Sequence, residues 1–253
     1  MKFHHFEVLD STNAHLLKMA EDGAPEWTVV TAERQTAGRG RRRSDWWSPE
    51  GNLYMSILLK PEASPQQLLR LPVLASLAFL SAIGESGSSL TVKWPNDILL
   101  DGRKLAGILV ESKSEGEKVL WAVVGFGVNM ARAKILQAGD DIPIGLKDRM
   151  AFVDELDEDL EPGELAVRIV RGMKKWTGAM KGEGWSAAVQ EWSHRAILNV
   201  PYIYRDGGRE TRGVPVRLDD SGGLVMETEN GEVTVYSGEL GETIQNSRFK
   251  IQE

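Results

Sequence analysis

Apolar and polar residues alternate along residues 52–60, and Leu53, Met55, Ile57 and Leu59 all fall on one face. A period of two is the period of a β-strand, so this segment is predicted to be a strand that buries that face in a core.

Apolar residues also recur with helical spacing. Leu165, Ile169, Met173, Trp176 and Met180 are separated by four, four, three and four positions, which places them on one helix face. Acidic residues before this segment and lysines near its end complement the helix dipole. Capping residues, prolines and glycines predict further helices over 12–22, 65–71, 72–84 and 185–192.

The remaining strands are predicted from β-forming residues and glycine turns. Residues 27–32 and 90–93 are short strands, and an Asp-Gly turn at 101–102 makes residues 98–129 an antiparallel meander. Beyond residue 197, short strands separated by glycine pairs predict a small β-barrel. We therefore predict an α+β fold with two domains, residues 1–195 and residues 196–253.

Composition narrows the class of protein. The 253 residues include no cysteine, which excludes disulfides, thiol catalysis and cysteine zinc sites. The net charge of −7 argues against general nucleic-acid binding, although five of the ten residues at 34–43 are arginine. The first ten residues lack the apolar stretch of a signal peptide, and the apolar segment 71–83 is too short to span a bilayer. We expect a cytoplasmic protein with no membrane partner.

The arginine-rich segment 35–43 reads Gln-Thr-Ala-Gly-Arg-Gly-Arg-Arg-Arg. Glycines let a backbone approach a ligand closely, and arginines bind phosphate oxygens through two parallel hydrogen bonds. Together they suit a phosphate or acyl-phosphate cradle. Composition alone favours a solvated basic loop, and an RNA-binding loop is a second alternative that the negative net charge weakens.

Three further segments carry candidate chemistry. Residues 93–97, Lys-Trp-Pro-Asn-Asp, place a carboxylate near the cradle, where it could hold Mg²⁺. Residues 104–111 begin with a lysine at the mouth of an apolar strand with small residues, and residues 125–129 carry two alternate glycines that suit a surface pressed against something flat. Taken one at a time, these segments are also compatible with a strand-end turn, a surface hairpin lysine and a strand-end bulge.

The order of these segments is more specific than any one of them. Ser-Thr-Asn, Gln-Thr-Ala-Gly-Arg-Gly-Arg, Gly-Asn-Leu-Tyr-x-Ser, Lys-Trp-Pro-Asn-Asp, Lys-Leu-Ala-Gly-Ile-Leu-Val-Glu and Gly-x-Gly-x-Asn follow one another between residues 10 and 129. This series resembles the biotin protein ligases, and the C-terminal part looks like that family's SH3-like barrel. The resemblance implies a mixed sheet like that of class II synthetases, which binds ATP, Mg²⁺ and the substrate biotin.

The family's reaction forms biotinyl-5′-AMP and then passes biotin to a lysine of a biotin carboxyl carrier domain. By resemblance, the biotin-binding residues are Ser11, Thr12, Asn13, Gln35, Gly38, Arg39, Gly40, Arg41, Trp46, Lys104, Gly107 and Gly125. The ATP-binding residues implied in the same way are Arg41, Lys93, Asn96, Asp97, Lys104 and Asn129. Lys104 and Arg41 are implied to be catalytic, and Asp97 is implied to be the magnesium ligand.

The sequence departs from the family at Arg43 and Ser44, where the family usually has glycine and a basic residue. Two alternatives stay open: a lipoate ligase of the same fold, and a non-catalytic module that binds biotin or biotinyl-AMP. Ser11 lies too near the start for a preceding helix-turn-helix, so we expect neither repressor activity nor a nucleic-acid partner. An open sheet edge is expected to allow a homodimer.

Overall fold

The protein is described here from a computed structural model, which covers residues 1–137, 142–180 and 182–243. Strands and helices segregate within it, as expected for an α+β fold. The strands of the larger sheet are β1 (Lys2–Leu9), β2 (Thr28–Gln35), β3 (Leu53–Leu59), β4 (Leu90–Lys93), β5 (Asp97–Leu100), β6 (Arg103–Glu115) and β7 (Lys118–Val128). They lie in the order β1-β2-β3-β7-β6-β5-β4. Only β1 and β2 run parallel, so the sheet is mixed.

Helices cover both faces of this sheet. They are α1 (Thr12–Glu21), α2 (Leu71–Ile83), α3 (Arg132–Gln137), α4 (Ile144–Lys147), α5 (Pro162–Thr177) and α6 (Glu183–Ser193). The predicted face of β3, from Leu53 to Leu59, belongs to the main hydrophobic cluster with α2 and α5. On the opposite face, Leu58 packs with Leu16 of α1, and all seven residues of β3 are buried. The central strand is therefore covered on both sides.

The C-terminal strands form a second sheet. Its members are β8 (Tyr202–Asp206), β9 (Arg209–Leu218), β10 (Leu224–Thr228), β11 (Gly231–Val235) and β12 (Glu239–Thr243), in the order β11-β10-β9-β8-β12. All neighbours are antiparallel, as expected for a small SH3-like unit. The main hydrophobic cluster continues from the large sheet into this one through Tyr202, Leu224 and Leu240. The two sheets therefore share packed apolar side chains.

Most sequence expectations for single elements hold. The strand at 52–60, the helix at 72–84 and the meander are all present. One expectation is wrong in detail: Met180 lies in a short 3-10 turn, because α5 ends at Thr177. The strands β1 and β12 and the short helices α3 and α4 were not predicted. Each is short or mixes charged and apolar residues without a clear period, so local pattern does not distinguish it from loop.

The most apolar helical run has a structural explanation. The segment Gln66–Gly87, which combines 3-10 turns with α2, reaches 22 residues and would be long and apolar enough to cross a membrane. In the folded chain 61% of its most apolar window is buried, and α2 packs against α5. Burial in the protein core accounts for this hydrophobicity.

One open edge of the large sheet lies on the predicted meander, because β5 pairs with β6 only as far as Gly107 and residues 109–115 of β6 pair only with β7 among the described strands. The outer side of β4 is closed by the segment that follows α6: Val92 N donates to Arg195 O at 2.8 Å, and Ile197 N donates to Val92 O at 2.9 Å. At the other end, β1 pairs with β2 and with no other strand of the described chain. A second copy that paired with this sheet could therefore meet residues 109–115 of β6 or β1.

Candidate active site

A cavity of about 620 Å³ lies between the large sheet, the arginine-rich loop and the C-terminal sheet. We call residues 38–46 the arginine loop. A second cavity of about 410 Å³ adjoins the first and shares Trp46, Lys93, Asp97 and Lys104 with it. One end of the pair of cavities is lined by uncharged polar groups, and the middle is lined by cations.

The uncharged end is built around the start of α1. Ser11 caps this helix by accepting a hydrogen bond from Ala14 N, which fixes the two residues that follow. Thr12 N donates to Gln35 Oε1 at 2.8 Å. The buried hydroxyl of Ser56 lies 2.9 Å from Thr12 Oγ1 and 2.6 Å from Asn13 Oδ1. Donors and acceptors that are fixed in this way suit a neutral polar ring better than a charged group.

A carboxylate borders this end of the cavity. Glu111 accepts hydrogen bonds from Asn13 Nδ2 at 2.9 Å and from Arg39 Nη2 at 2.6 Å. The Asn13 side chain lies directly against Gly125, where a Cβ atom would overlap its amide. Position 125 must therefore be glycine for the Asn13 side chain to lie against β7. Glu111, in turn, holds the Asn13 and Arg39 side chains next to each other.

The aromatic ring of Trp46 lies on the glycines of the sheet. A Cβ atom at Gly127 would lie 2.5 Å from Trp46 Cε2, and one at Gly107 would lie 2.7 Å from Cζ3. Of the alternate glycines of β7, only Gly127 therefore faces a flat ring, as predicted, whereas Gly125 faces the Asn13 amide and the second glycine under the ring is Gly107 of β6. Trp46 Nε1 is buried and has no hydrogen-bond partner in the described chain, so no hydrogen bond of the indole N–H holds the ring.

Lys104 lies between this ring and a carboxylate. Its Nζ is 2.7 Å from Asp97 Oδ1 and 5.0 Å from the centre of the Trp46 ring. Asn129 is buried and donates from Nδ2 to Lys104 O at 2.9 Å, which fixes the backbone that carries the lysine. Asn129 thus contributes to the site by positioning β6.

Two further cations reach the centre of the cavity. Arg41 Nη1 donates to Asn96 Oδ1 at 3.3 Å and to Gly238 O at 2.9 Å, while Lys93 Nζ donates to Gly241 O at 3.1 Å. Burial lowers the pKa of the Arg41 guanidinium and that of the Lys93 ammonium, and the negative charge of Asp97 partly offsets both shifts. Partly buried cations of this kind bind anions more strongly than surface cations do.

Comparison with known proteins relates this site to a family. The sequence profile of the Biotin/lipoate A/B protein ligase family matches residues 5–129. A Paracoccus denitrificans biotin--[acetyl-CoA-carboxylase] ligase is 34% identical over 235 residues, which cover 91% of this chain and 96% of that relative. The chain belongs to the biotin/lipoate A/B protein ligase family. A Bacillus subtilis bifunctional ligase/repressor BirA is 32% identical, and the match covers 93% of this chain and 72% of that relative.

Solved structures of the same family agree with this assignment. The biotin protein ligase from Aquifex aeolicus in complex with biotin and ATP superposes with a TM-score of 0.78 at 27% identity, over 95% of this chain and 97% of that one. The apo structure of the Aquifex ligase superposes with a TM-score of 0.75. The fold of this ligase-family chain, with its second antiparallel sheet, is therefore the fold of the biotin protein ligases.

The structure brings nearly all the predicted site residues of this family member together. All of them line the 620 Å³ cavity except Gly38 and Asn129. Asn129 lines the second cavity, and Gly38 is the first residue of the arginine loop, where its carbonyl accepts a hydrogen bond from Trp46 N at 2.9 Å. Ser44 Oγ donates to Arg41 O at 2.8 Å, so the residue that departs from the family pattern closes the turn carrying Arg41. The side chain of Arg43 lies outside the described part of the structure.

Other residues of the site escaped sequence reasoning. Arg149, from the segment after α4, lines both cavities, and Arg205 and Glu239 reach the first cavity from the C-terminal sheet. No local pattern marks these three positions. Ser56 and Glu111 do end two of the segments that carry the family resemblance, and that membership was the available signal; the structure adds that both side chains contact Asn13.

The acidic residues of the site fit a magnesium ion that is also held by phosphate oxygens. No three His, Cys, Asp or Glu side chains cluster as a metal cage among the described residues. Mg²⁺ in nucleotide sites is held instead by one or two carboxylates together with phosphate oxygens. Asp97 and Glu239 both line the first cavity, so their carboxylates suit that donor set.

Proposed function

We propose that the chain activates biotin with ATP and transfers the biotinyl group to a lysine of a carrier protein. One observation carries this proposal: a single cavity joins an uncharged hydrogen-bonding end to a centre lined by Arg41, Lys93 and Lys104. Biotin has the same division, because its ureido ring is neutral and polar while its valerate chain ends in a carboxylate. The cationic centre suits that carboxylate and the phosphates of ATP.

In the first half-reaction, a biotin carboxylate oxygen attacks the α-phosphorus of ATP. The P–O bond to the β-phosphate breaks, which leaves biotinyl-5′-AMP and pyrophosphate. The attack brings two anions together, so fixed positive charge in a partly buried site lowers its barrier. Lys104 and Arg41 are the proposed sources of this charge near the reacting atoms, and Lys93 serves the phosphates.

Magnesium, held by Asp97 and phosphate oxygens, would offset part of the phosphate charge. Asp97 has a second task in the proposal, because its carboxylate also orients the ammonium of Lys104 at 2.7 Å. Asn96, which neighbours Asp97 in the chain, accepts a hydrogen bond from Arg41 Nη1 at 3.3 Å and so orients that guanidinium. Its Nδ2 donates to Ile108 O at 3.0 Å, which ties this segment to β6.

In the second half-reaction, the neutral ε-amine of a carrier lysine attacks the acyl carbon of the adenylate. An amide forms, AMP leaves with the bonding electron pair, and the amine loses a proton. The carrier we propose is the biotin carboxyl carrier domain of a biotin-dependent carboxylase, and the cytoplasm is the proposed compartment. The printed name of the Paracoccus relative, a biotin--[acetyl-CoA-carboxylase] ligase, supports a carboxylase as the carrier.

The proposed homodimer rests on a different feature, the open edges of the large sheet at residues 109–115 of β6 and at β1. A strand edge presents unpaired backbone donors and acceptors that a second copy can satisfy. Phe3 and Val8 on β1 are exposed apolar residues that a partner would cover. Analytical ultracentrifugation with and without biotin and ATP tests this: a monomer at all concentrations contradicts it.

Carrier labelling tests the proposed reaction. The purified chain is incubated with Mg-ATP and an unmodified carrier domain, with biotin in one sample and lipoate in another. Mass spectrometry then identifies any modified lysine. We expect one biotinylated lysine and no lipoylation. Modification by lipoate alone would identify a lipoate ligase, and binding of biotin without labelling would identify a non-catalytic module.

A further inference from the structure

The arginine loop is bonded to the C-terminal sheet through Arg42. Arg42 Nη2 donates to the carboxylate of Asp206, and Nη1 donates to Arg205 O at 3.3 Å. Asp206 is the last residue of β8 and begins the turn into β9. Arg42, a residue of the arginine loop, is thus held by the C-terminal sheet on the opposite side of the cavity.

Asp206 is itself oriented for this contact. Its two carboxylate oxygens have different partners: Oδ1 faces Arg42, and Oδ2 accepts from Ser237 Oγ at 2.7 Å. The Tyr204 hydroxyl lies 3.3 Å from Oδ2 and donates to Ser237 O at 2.8 Å. The hydrogen bond from Ser237 also lowers the pKa of Asp206, so the carboxylate is charged at neutral pH. A carboxylate fixed on one side offers a defined acceptor on the other.

The backbone of Arg42 needs such a support. Its φ of 53° and ψ of 35° lie in the left-handed region, which residues with a side chain rarely adopt. Conformations of this kind persist where surrounding contacts determine them. The neighbouring hydrogen bond from Arg41 to Gly238 O, at 2.9 Å, attaches the loop to the same sheet at the entry to β12.

We propose that Asp206 is a positioning residue that latches the arginine loop over the cavity through Arg42. The C-terminal sheet thereby takes part in closing a site whose reacting groups lie on the large sheet. Loss of the latch leaves the site assembled but open for more of the time. The effect of losing the latch on the bound adenylate rests on the proposed function, whereas the effect on loop opening does not.

An ordinary surface ion pair is the competing interpretation. The side chains of Arg42 and Asp206 are 38% and 40% exposed, and exposed pairs commonly contribute little. The two interpretations differ in what the pair restrains. A surface pair affects no other segment, whereas a latch controls the opening of residues 38–46.

Limited trypsin digestion of the full chain distinguishes them, because the loop contains several arginines. Cleavage of a native protein requires local opening, and its rate follows the open population when closing is fast. We expect Asp206→Asn, which leaves every arginine of the loop in place, to speed cleavage within the loop by roughly two- to fivefold, the range of an exposed charged pair. The matched controls are Glu232→Gln and Arg217→Gln, which break an exposed pair at 2.8 Å elsewhere in the C-terminal sheet.

Two further readouts complete the test. Amide hydrogen exchange of residues 38–46 reports loop opening without depending on the arginines, and by this measure the double variant Arg42→Asp with Asp206→Arg should restore part of the protection that either single substitution removes. Loaded with biotin and Mg-ATP but no carrier, Asp206→Asn should release AMP faster than the unaltered chain while its KM for biotin stays the same. Loop cleavage in Asp206→Asn at the rate of Glu232→Gln would overturn the latch. If the unaltered chain formed no adenylate, the proposed function would fail, and the trypsin result would still decide the latch.

Discussion

Replacement of Lys104 by methionine should abolish most adenylate formation while it leaves the fold intact. The Lys104 ammonium lies 2.7 Å from Asp97 and 5.0 Å from the Trp46 ring, at the centre of the cavity. Loss of one preorganised donor at developing charge costs on the order of 10²–10³ in rate. The ion pair is 36% and 25% exposed, so its loss costs at most about 1 kcal/mol of folding free energy. For a chain of this size that is a Tm decrease of about 2–4 °C.

The assay is biotin-dependent exchange of labelled pyrophosphate into ATP, with Tm measured on the same samples. Lys134→Met is the matched control, because Lys134 pairs with Glu161 at 2.8 Å on the surface and lines neither cavity. The control should keep its exchange rate. Unchanged exchange in Lys104→Met would refute the role of Lys104. A Tm decrease far beyond a few degrees would show instead that the lysine is structural.

Three other substitutions have defined outcomes. Gly127→Ala should displace Trp46 and lower kcat/KM for biotin by up to about 10²-fold, whereas Gly163→Ala, at which an added Cβ meets no atom within 4 Å, should not. Normal biotin kinetics in Gly127→Ala would contradict the placement of the ring. ATP affinity measured by calorimetry should fall with rising pH as Lys93 loses its proton, because only the charged form attracts phosphate. Burial lowers the pKa of Lys93, so the fall should occur at a lower pH than for an unperturbed lysine. Lys93→Arg should remove this pH dependence; a dependence that persists in Lys93→Arg would belong to another group. Glu111→Ala should raise the KM for biotin roughly tenfold, since it removes the charged partner of two cavity side chains; an unchanged KM would show that those side chains are positioned without it.

The elements with a strong period could be predicted from the sequence. Residues 53–59 and the helix with Leu165, Ile169 and Met173 repeat apolar residues over several turns or pleats, so burial of one face dictates their form. β12, by contrast, carries the sequence Glu-Leu-Gly-Glu-Thr and depends on pairing with β8. Its strand conformation comes from a non-local partner, and such a partner leaves no local period.

The candidate site divides in the same way. The segments around Arg41, Asp97 and Lys104 combine charged residues with glycine or proline, so each could be predicted to contribute to a ligand site from its local sequence alone. Arg205 and Glu239 could not be predicted from a local segment, because they reach the cavity only when the C-terminal sheet packs against the large sheet. Isolated charged residues on short strands look the same as solvated surface residues.

The claim that one site carries out both half-reactions has a direct test. The chain is mixed with biotin and Mg-ATP, separated from free nucleotide by gel filtration, and then added to unmodified carrier domain. We predict that biotin passes from the isolated complex to one carrier lysine, with release of an equal amount of AMP and without further ATP. An isolated complex that holds biotin or its adenylate but never labels the carrier would contradict the account.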